Sequence, residues 1–192
     1  TLGFAYPRRA PFFRKELEQF LLLARDEGLS PVSVRGSYAG AVGRPQFIPS
    51  SYRAYAVDFD GDGRRDLWAS DADVIGSVGA YLAQHGWRQG EPIASPAELS
   101  RPWDAEIAIG GTRPVVPEVR VEQLVAAGVK PAEPLDPNTL AALIELDNGG
   151  SEYWVTLENF YAITRYNHSN LYALAALQLS EAIAAEGEDG GD

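Results

Sequence analysis

Between Pro11 and Arg25 the apolar residues Phe13, Leu17, Phe20, Leu21 and Ala24 recur at helical spacing. The pattern predicts an amphipathic helix with a proline in its first turn and Gly28 as its stop. A second helical period runs from Ser70 through Val74, Ile75, Val78 and Leu82 to Gly86, with Ser70 as the cap and Asp73 three residues after it. Leu140–Leu146, the turn Asp147-Asn148-Gly149-Gly150 and Tyr153–Thr156 read as a hairpin, and a helix follows from Asn170 to Ala185. From Gln89 to Pro137 prolines are frequent, and the short β-prone pieces Ala105–Ile109 and Val115–Val121 alternate with turns, which predicts a subdomain of small strands. Gly36, Gly40 and Gly43, with two prolines, mark residues 36–49 as an irregular segment that turns tightly and approaches something closely. The acidic, glycine-rich end, Glu186–Asp192, is expected to lack fixed structure. No internal repeat is present.

Composition narrows the function more than the fold. At 192 residues the chain can bury a sizeable core without staples, and its zero cysteines fit either a reducing or an oxidising compartment. No run of apolar residues is long enough to cross a bilayer. The formal net charge of −11 opposes an extended interface with phosphate backbones, so nucleic acid is excluded as a partner. The same balance suits a cation or a largely neutral polymer, and 9 Tyr with 4 Trp supply the aromatic faces that carbohydrate recognition uses.

Local chemistry is densest at Asp58-Phe59-Asp60-Gly61-Asp62-Gly63-Arg64. Carboxylates at alternate positions, followed by a glycine at the sharp turn, form the opening of an EF-hand loop for Ca²⁺, a hard cation that takes oxygen ligands. The metal candidates are therefore Asp58, Asp60, Asp62, the backbone carbonyl of Arg64, and a closing carboxylate. In the standard loop that last ligand falls at the twelfth position, here Ala69, so a longer loop closing on Asp73 is needed. The competing reading is a solvated acidic turn in which Asp73 completes a capping box with Ser70.

The segment immediately upstream, Gly36-Ser37-Tyr38-Ala39-Gly40-Ala41-Val42-Gly43-Arg44-Pro45-Gln46-Phe47-Ile48-Pro49-Ser50-Ser51, leads through Tyr52 and Tyr55 into that loop. It resembles the pattern of the membrane-bound B-type lytic transglycosylases. Tyr6-Pro7-Arg8-Arg9-Ala10, Ala24-Arg25-Asp26-Glu27, His85-Gly86-Trp87 and Thr164-Arg165-Tyr166-Asn167-His168-Ser169 resemble the same family in the same order.

The resemblance implies a mainly α (α+β) fold, with a lysozyme-like helical core, an EF-hand-like calcium loop and a small β-containing subdomain. On that reading residues 1–88 belong to the catalytic core with the loop at 58–73. Residues 89–137 form a β-rich insertion, residues 138–185 complete the core and groove, and residues 186–192 are a disordered tail. The implied activity is non-hydrolytic cleavage of the bond between N-acetylmuramic acid and N-acetylglucosamine in peptidoglycan, forming 1,6-anhydromuramoyl ends. One glutamate serves there as acid and then base. That glutamate is expected upstream of Thr1, so no residue of this chain is assigned as catalytic. Ser37 and Gln46 would face the reacting sugars, Tyr166 and Asn167 the opposite wall, and Tyr81, Tyr172, Arg8 and Arg9 would lie farther along the groove. Each has a plainer alternative. Ser37 and Gln46 could satisfy their own loop's backbone, Tyr81 and Tyr172 could pack in a core, and the arginines could be solvated. Ca²⁺ would be structural and glycan strands the partner. The protein would be a periplasmic monomer whose membrane anchor, if it has one, lies outside these residues. The competing class is a calcium-stabilised glycan-binding module without chemistry.

Overall fold

The computed structural model of the chain describes residues 2–100, 103 and 106–189. It divides into two compact units, Thr1–Ala83 and Gln84–Asp192.

In the first unit a single turn, α1 (Leu2–Ala5), precedes α2 (Ala10–Asp26), whose buried residues are Ala10, Glu16, Leu23 and Ala24. The helix stops as its sequence requires: Gly28 N–H reaches the Arg25 carbonyl at 3.3 Å and Leu29 N–H the Ala24 carbonyl at 2.7 Å. The carboxylate on the buried side has a partner. Glu16 Oε2 accepts the Ser50 N–H at 3.0 Å, satisfying one of the N-terminal donors of α3 (Pro49–Tyr55). Seven residues are too few to show a period, and only the proline in its first turn announces α3 in the sequence. Leu23, Tyr52 and Leu67 are fully buried in this unit. The Tyr52 hydroxyl donates to the Arg65 carbonyl, and burial holds that phenol in its protonated form. The acidic segment then leads into α4 (Asp71–Gln84), where Ser77 Oγ accepts the Val57 N–H at 3.0 Å and ties the start of the acidic loop to the helix.

The second unit is a sheet with helices. Its strands are β1 (Ala94–Leu99), β2 (Ile109–Gly110), β3 (Val119–Arg120), β4 (Val129–Pro131), β5 (Leu140–Asp147) and β6 (Ser151–Thr156), in the order β2-β5-β6-β1-β4, with β3 also on β5. Only β2 runs parallel to its neighbour. The hairpin forms with Asp147 opposite Ser151 and Ala142 opposite Thr156. β5 is buried at most positions, as the near-continuous apolar run Leu140–Leu146 requires of a central strand. Val121, Leu124, Val129, Leu143, Val155 and Leu157 form its core.

Several expectations are corrected here. The hairpin does not stand apart from residues 89–137, because β6 pairs along β1 from Ala94 to Ala97 and the two segments share one sheet. The β-prone piece at 115–121 is a strand only over Val119–Arg120. It turns into α5 (Val121–Ala126), capped by Gln123, whose side chain accepts the Arg120 N–H at 3.0 Å. In the piece 105–109 the strand begins only at Ile109, and Ala105 lies outside the described residues. An unpredicted helix, α6 (Glu158–Tyr166), follows the hairpin after Leu157 alone. Its sequence is rich in aromatic and β-branched residues, which favour strands, but tertiary hydrogen bonds override them. Asn159, 1% exposed, accepts the Arg88 N–H and donates to the Arg88 and Glu91 carbonyls, each at 2.8 Å. Asn170 does the same for α7 (Asn170–Asp189), donating to the Gly111 and Arg113 carbonyls at 2.7 Å. α7 continues to Asp189, so residues 186–189 are helical rather than disordered, extending a helix already nucleated by its buried start. Residues 190–192 lie outside the described residues.

Candidate functional site

The glycine-rich segment of the first unit folds into a small double turn, with bridges pairing Gly36 with Val42 and Val42 with Phe47. Ser37 holds the outer turn together. Its N–H donates to the Ala41 carbonyl at 2.8 Å, its carbonyl accepts the Gly40 N–H at 2.9 Å, and its Oγ accepts the Ala41 N–H at 3.1 Å. The hydroxyl hydrogen takes no part in these three bonds. Ser37 also lines a cleft of about 440 Å³ with Phe20, Gly36, Tyr38, Pro49 and the carboxylate-bearing Glu16.

The inner turn contains the chain's one described non-glycine residue in the left-handed region, Gln46, at φ 55°. Such a conformation costs free energy in a side-chain-bearing residue and survives only where its surroundings impose it. Here the Gln46 N–H donates to the Gly43 carbonyl at 3.2 Å, and the Gln46 Nε2 donates to the same carbonyl at 2.8 Å. Both bonds use donors, which leaves the side-chain amide oxygen of this exposed residue available as an acceptor. Gly43 is required twice over. It has φ 71°, and a Cβ there would stand 2.9 Å from the Leu67 carbonyl oxygen. Phe47 anchors the turn from below against Tyr81 and Tyr55, at centroid distances of 5.8 and 6.5 Å. Tyr81 is 8% exposed, so its ring supports the turn as a core residue instead of offering a face to a ligand.

The acidic loop lies directly after α3. One carboxylate oxygen from each of Asp58, Asp60 and Asp62 lies within 4.8 Å of the others, all on exposed residues. The backbone wraps around Asp58, whose Oδ1 accepts the Gly61 and Asp62 N–H groups at 2.7 and 3.1 Å and whose Oδ2 accepts that of Gly63 at 2.8 Å. Gly63 turns the chain at φ 89°. Asp73 behaves differently from a capping-box acid. Ser70 Oγ does cap α4, accepting the Asp73 N–H at 3.2 Å, but the Asp73 carboxylate points back into the loop. Its Oδ1 accepts the Phe59 N–H and its Oδ2 the Asp66 N–H, both at 2.8 Å, and the residue is 1% exposed. Burial works against its ionisation, but the N–H groups of Phe59, Asp66 and Asp60 outweigh it and hold the carboxyl below the usual aspartate range. Hard oxygen donors arranged in this way fit a divalent cation.

In the second unit α6 ends at Tyr166 and α7 begins at Asn170, which brings three of the predicted residues to one corner. The Tyr166 and Tyr172 rings are parallel within 2° at a centroid distance of 6.3 Å, an offset stack, and the exposed Asn167 follows the first of them. Arg8 is exposed in the turn before α2, and the Arg9 guanidinium lies over the Phe12 and Phe13 rings at 4.8 and 5.1 Å.

Residues 1–181 match the family of the transglycosylase SLT domain. The chain belongs to that family. Membrane-bound lytic murein transglycosylase B of Escherichia coli (strain K12) is 49% identical over 185 residues, which cover 96% of this chain and 49% of the relative. Escherichia coli lytic transglycosylase Slt35, solved in complex with calcium, has a TM-score of 0.86 at 48% identity, covering 97% of this chain and 57% of that one. SltB3 of Pseudomonas aeruginosa, solved with NAG-anhNAM-pentapeptide, has a TM-score of 0.75 at 34% identity, covering 88% of this chain and 45% of that one. The SLT-domain chain thus spans about half the length of the curated relative it matches, and its fold is the lysozyme-like one of lytic transglycosylases. Within this SLT domain, Asp66 and Leu67, which support the Gln46 turn, escape the sequence pattern because their role is made by backbone contacts across the chain.

Proposed function

We propose that the complete protein is a peptidoglycan lytic transglycosylase that cleaves the bond between N-acetylmuramic acid and N-acetylglucosamine without water and leaves 1,6-anhydromuramoyl ends. The observation that carries this reading is the Ser37–Gln46 double turn. It is a preorganised set of amide and hydroxyl groups in the family's characteristic segment, with Gln46 held in an unfavourable conformation and its amide oxygen not used by the turn. Fixed dipoles of this kind suit the hydroxyl and acetamido groups of a neutral sugar.

In the reaction these residues bind and orient. Gln46 accepts from a sugar hydroxyl or acetamido N–H, and Ser37 donates its hydroxyl hydrogen. Tyr166 and Tyr172 offer their ring faces, and Asn167 offers its amide. Arg8 and Arg9 meet the carboxylates of the peptide-bearing strand. Tyr81 acts beneath the turn, through Phe47. The acid that protonates the glycosidic oxygen, and then as base helps the muramoyl 6-hydroxyl close the anhydro ring, is supplied from outside this chain. Calcium is held by Asp58, Asp60 and Asp62, with the Arg64 carbonyl and Asp73. When bound it neutralises these carboxylates and braces the loop. The compartment is the periplasm, where glycan strands are the partner and the protein acts as a monomer. The relatives' names are those of enzymes, which weighs against a glycan-binding module without chemistry.

Incubating the full-length protein with purified sacculi should release 1,6-anhydromuramoyl products detectable by mass spectrometry, while this chain alone releases none. Hydrolysed, reducing ends from the full-length protein would sink the reaction assignment. Anhydro products from this chain alone would place the acid among these residues.

A further inference from the structure

The acidic loop and the Gln46 turn share a piece of backbone. Leaving the loop, the Asp66 N–H donates to Asp73 Oδ2 at 2.8 Å, and Asp66 Oδ1 in turn accepts the Trp68 and Ala69 N–H groups at 2.9 Å. That fixes the direction of the chain at Leu67, which is fully buried. The Leu67 carbonyl then accepts the Arg44 N–H at 2.8 Å, and Gly43 is pressed against the same carbonyl so closely that no side chain fits between them. Gly43 in turn holds Gln46, through both the backbone and the side-chain amide. The Arg44 guanidinium pairs with Asp71 on the first turn of α4, fastening the same turn a second time. At the other end, Asp73 Oδ1 accepts the N–H of Phe59, the residue after Asp58.

We propose that divalent-cation binding in the acidic loop is coupled to glycan binding at Gln46, with Asp66 and Leu67 as the positioning residues that carry the coupling. The inference rests on the calcium reading above and goes beyond a merely stabilising ion. Without the cation, mutual repulsion of Asp58, Asp60 and Asp62 makes the loop easier to open, although the Asp73 bonds still close it. Opening releases Asp73 from Phe59 and Asp66, and with Asp66 free the Leu67 carbonyl no longer stays under Arg44. The left-handed Gln46, unfavourable by itself, then relaxes. With the cation bound, the turn is preorganised and the sugar does not have to order it. Linkage makes the effect reciprocal, so glycan raises cation affinity by the same factor.

The test is amide hydrogen exchange on the full-length protein, with calcium or with EDTA. Calcium should slow exchange in residues 58–73 and, by at least about fivefold, in residues 42–47, the lower end of ordinary coupling energies. In Gly43→Ala, which forces the turn off Leu67, and in Asp66→Ala, calcium should still protect 58–73 while 42–47 no longer respond. Chitotetraose affinity, measured by calorimetry, should rise on adding calcium to the wild type and stay unchanged in either variant. Protection confined to 58–73 in the wild type, or equal chitotetraose affinity with and without calcium, overturns the coupling and leaves the calcium site standing. Absence of protection in both segments means that the calcium reading itself is wrong, and the coupling falls with it.

Discussion

Asp73→Asn separates two roles that a closing carboxylate can have, ligand of a cation and organiser of the empty loop. In the wild type the two carboxylate oxygens of Asp73, itself 1% exposed, each accept a backbone N–H at 2.8 Å. Asparagine retains one acceptor and turns a second donor, Nδ2, toward the N–H of Phe59 or Asp66. One charge-assisted bond is lost and its part-buried N–H is left facing a donor, at about 1.5–3 kcal/mol together. The expected loss is about 1.5–3 kcal/mol, set against a domain's ordinary stability of about 5–15 kcal/mol. Urea unfolding of this chain in EDTA, with no cation to bind, should therefore show a midpoint lower by about 1 M for a slope of about 2 kcal/mol/M. The pH dependence follows from the lowered carboxyl pKa. A group depressed in the folded state contributes stability above its unfolded value of about 3.9 and loses it as pH falls toward the folded value. The gap between wild type and Asp73→Asn should thus be full at pH 7 and close on acidification below about pH 4. Equal midpoints in EDTA, or a gap that persists unchanged into acid, would falsify the claim that Asp73 organises the loop without metal.

Calcium at a hundredfold excess over its Kd should add about 2.7 kcal/mol to stability, read as a rise in melting temperature that EDTA reverses, and Asp58→Ala should abolish the response. Gln46→Gly should keep or raise thermal stability, because glycine adopts φ 55° without strain. Its affinity for chitooligosaccharide should nevertheless fall by the equivalent of about 0.5–1.5 kcal/mol, and calorimetry showing no loss would remove Gln46 from the site. Tyr52→Phe removes the hydroxyl donor of a part-buried bond to the Arg65 carbonyl and should cost about 0.5–1.5 kcal/mol in denaturant unfolding.

Elements whose signal is carried by their own residues were legible in the sequence: α2 with its Gly28 stop, α4 with its Ser70 cap, and the β5–β6 hairpin around Asn148-Gly149. The same holds for the acidic loop, since alternate carboxylates before a glycine are a local pattern. The glycine-rich segment reads as one that approaches something closely, and Leu67 is what it approaches. Tertiary structure alone decided the rest. α6 is helical against its own propensity because Asn159 is bonded to Arg88 and Glu91, far away in sequence. Tyr81 and Tyr172 both stand on helices, and only packing sends one under Phe47 and leaves the other stacked on Tyr166. Periodicity identifies which face of a helix is apolar, but which chain segment covers that face depends on contacts between residues far apart in sequence. That is why the residues of the acidic loop could be named from the sequence, while their connection through Leu67 to Gln46 could not.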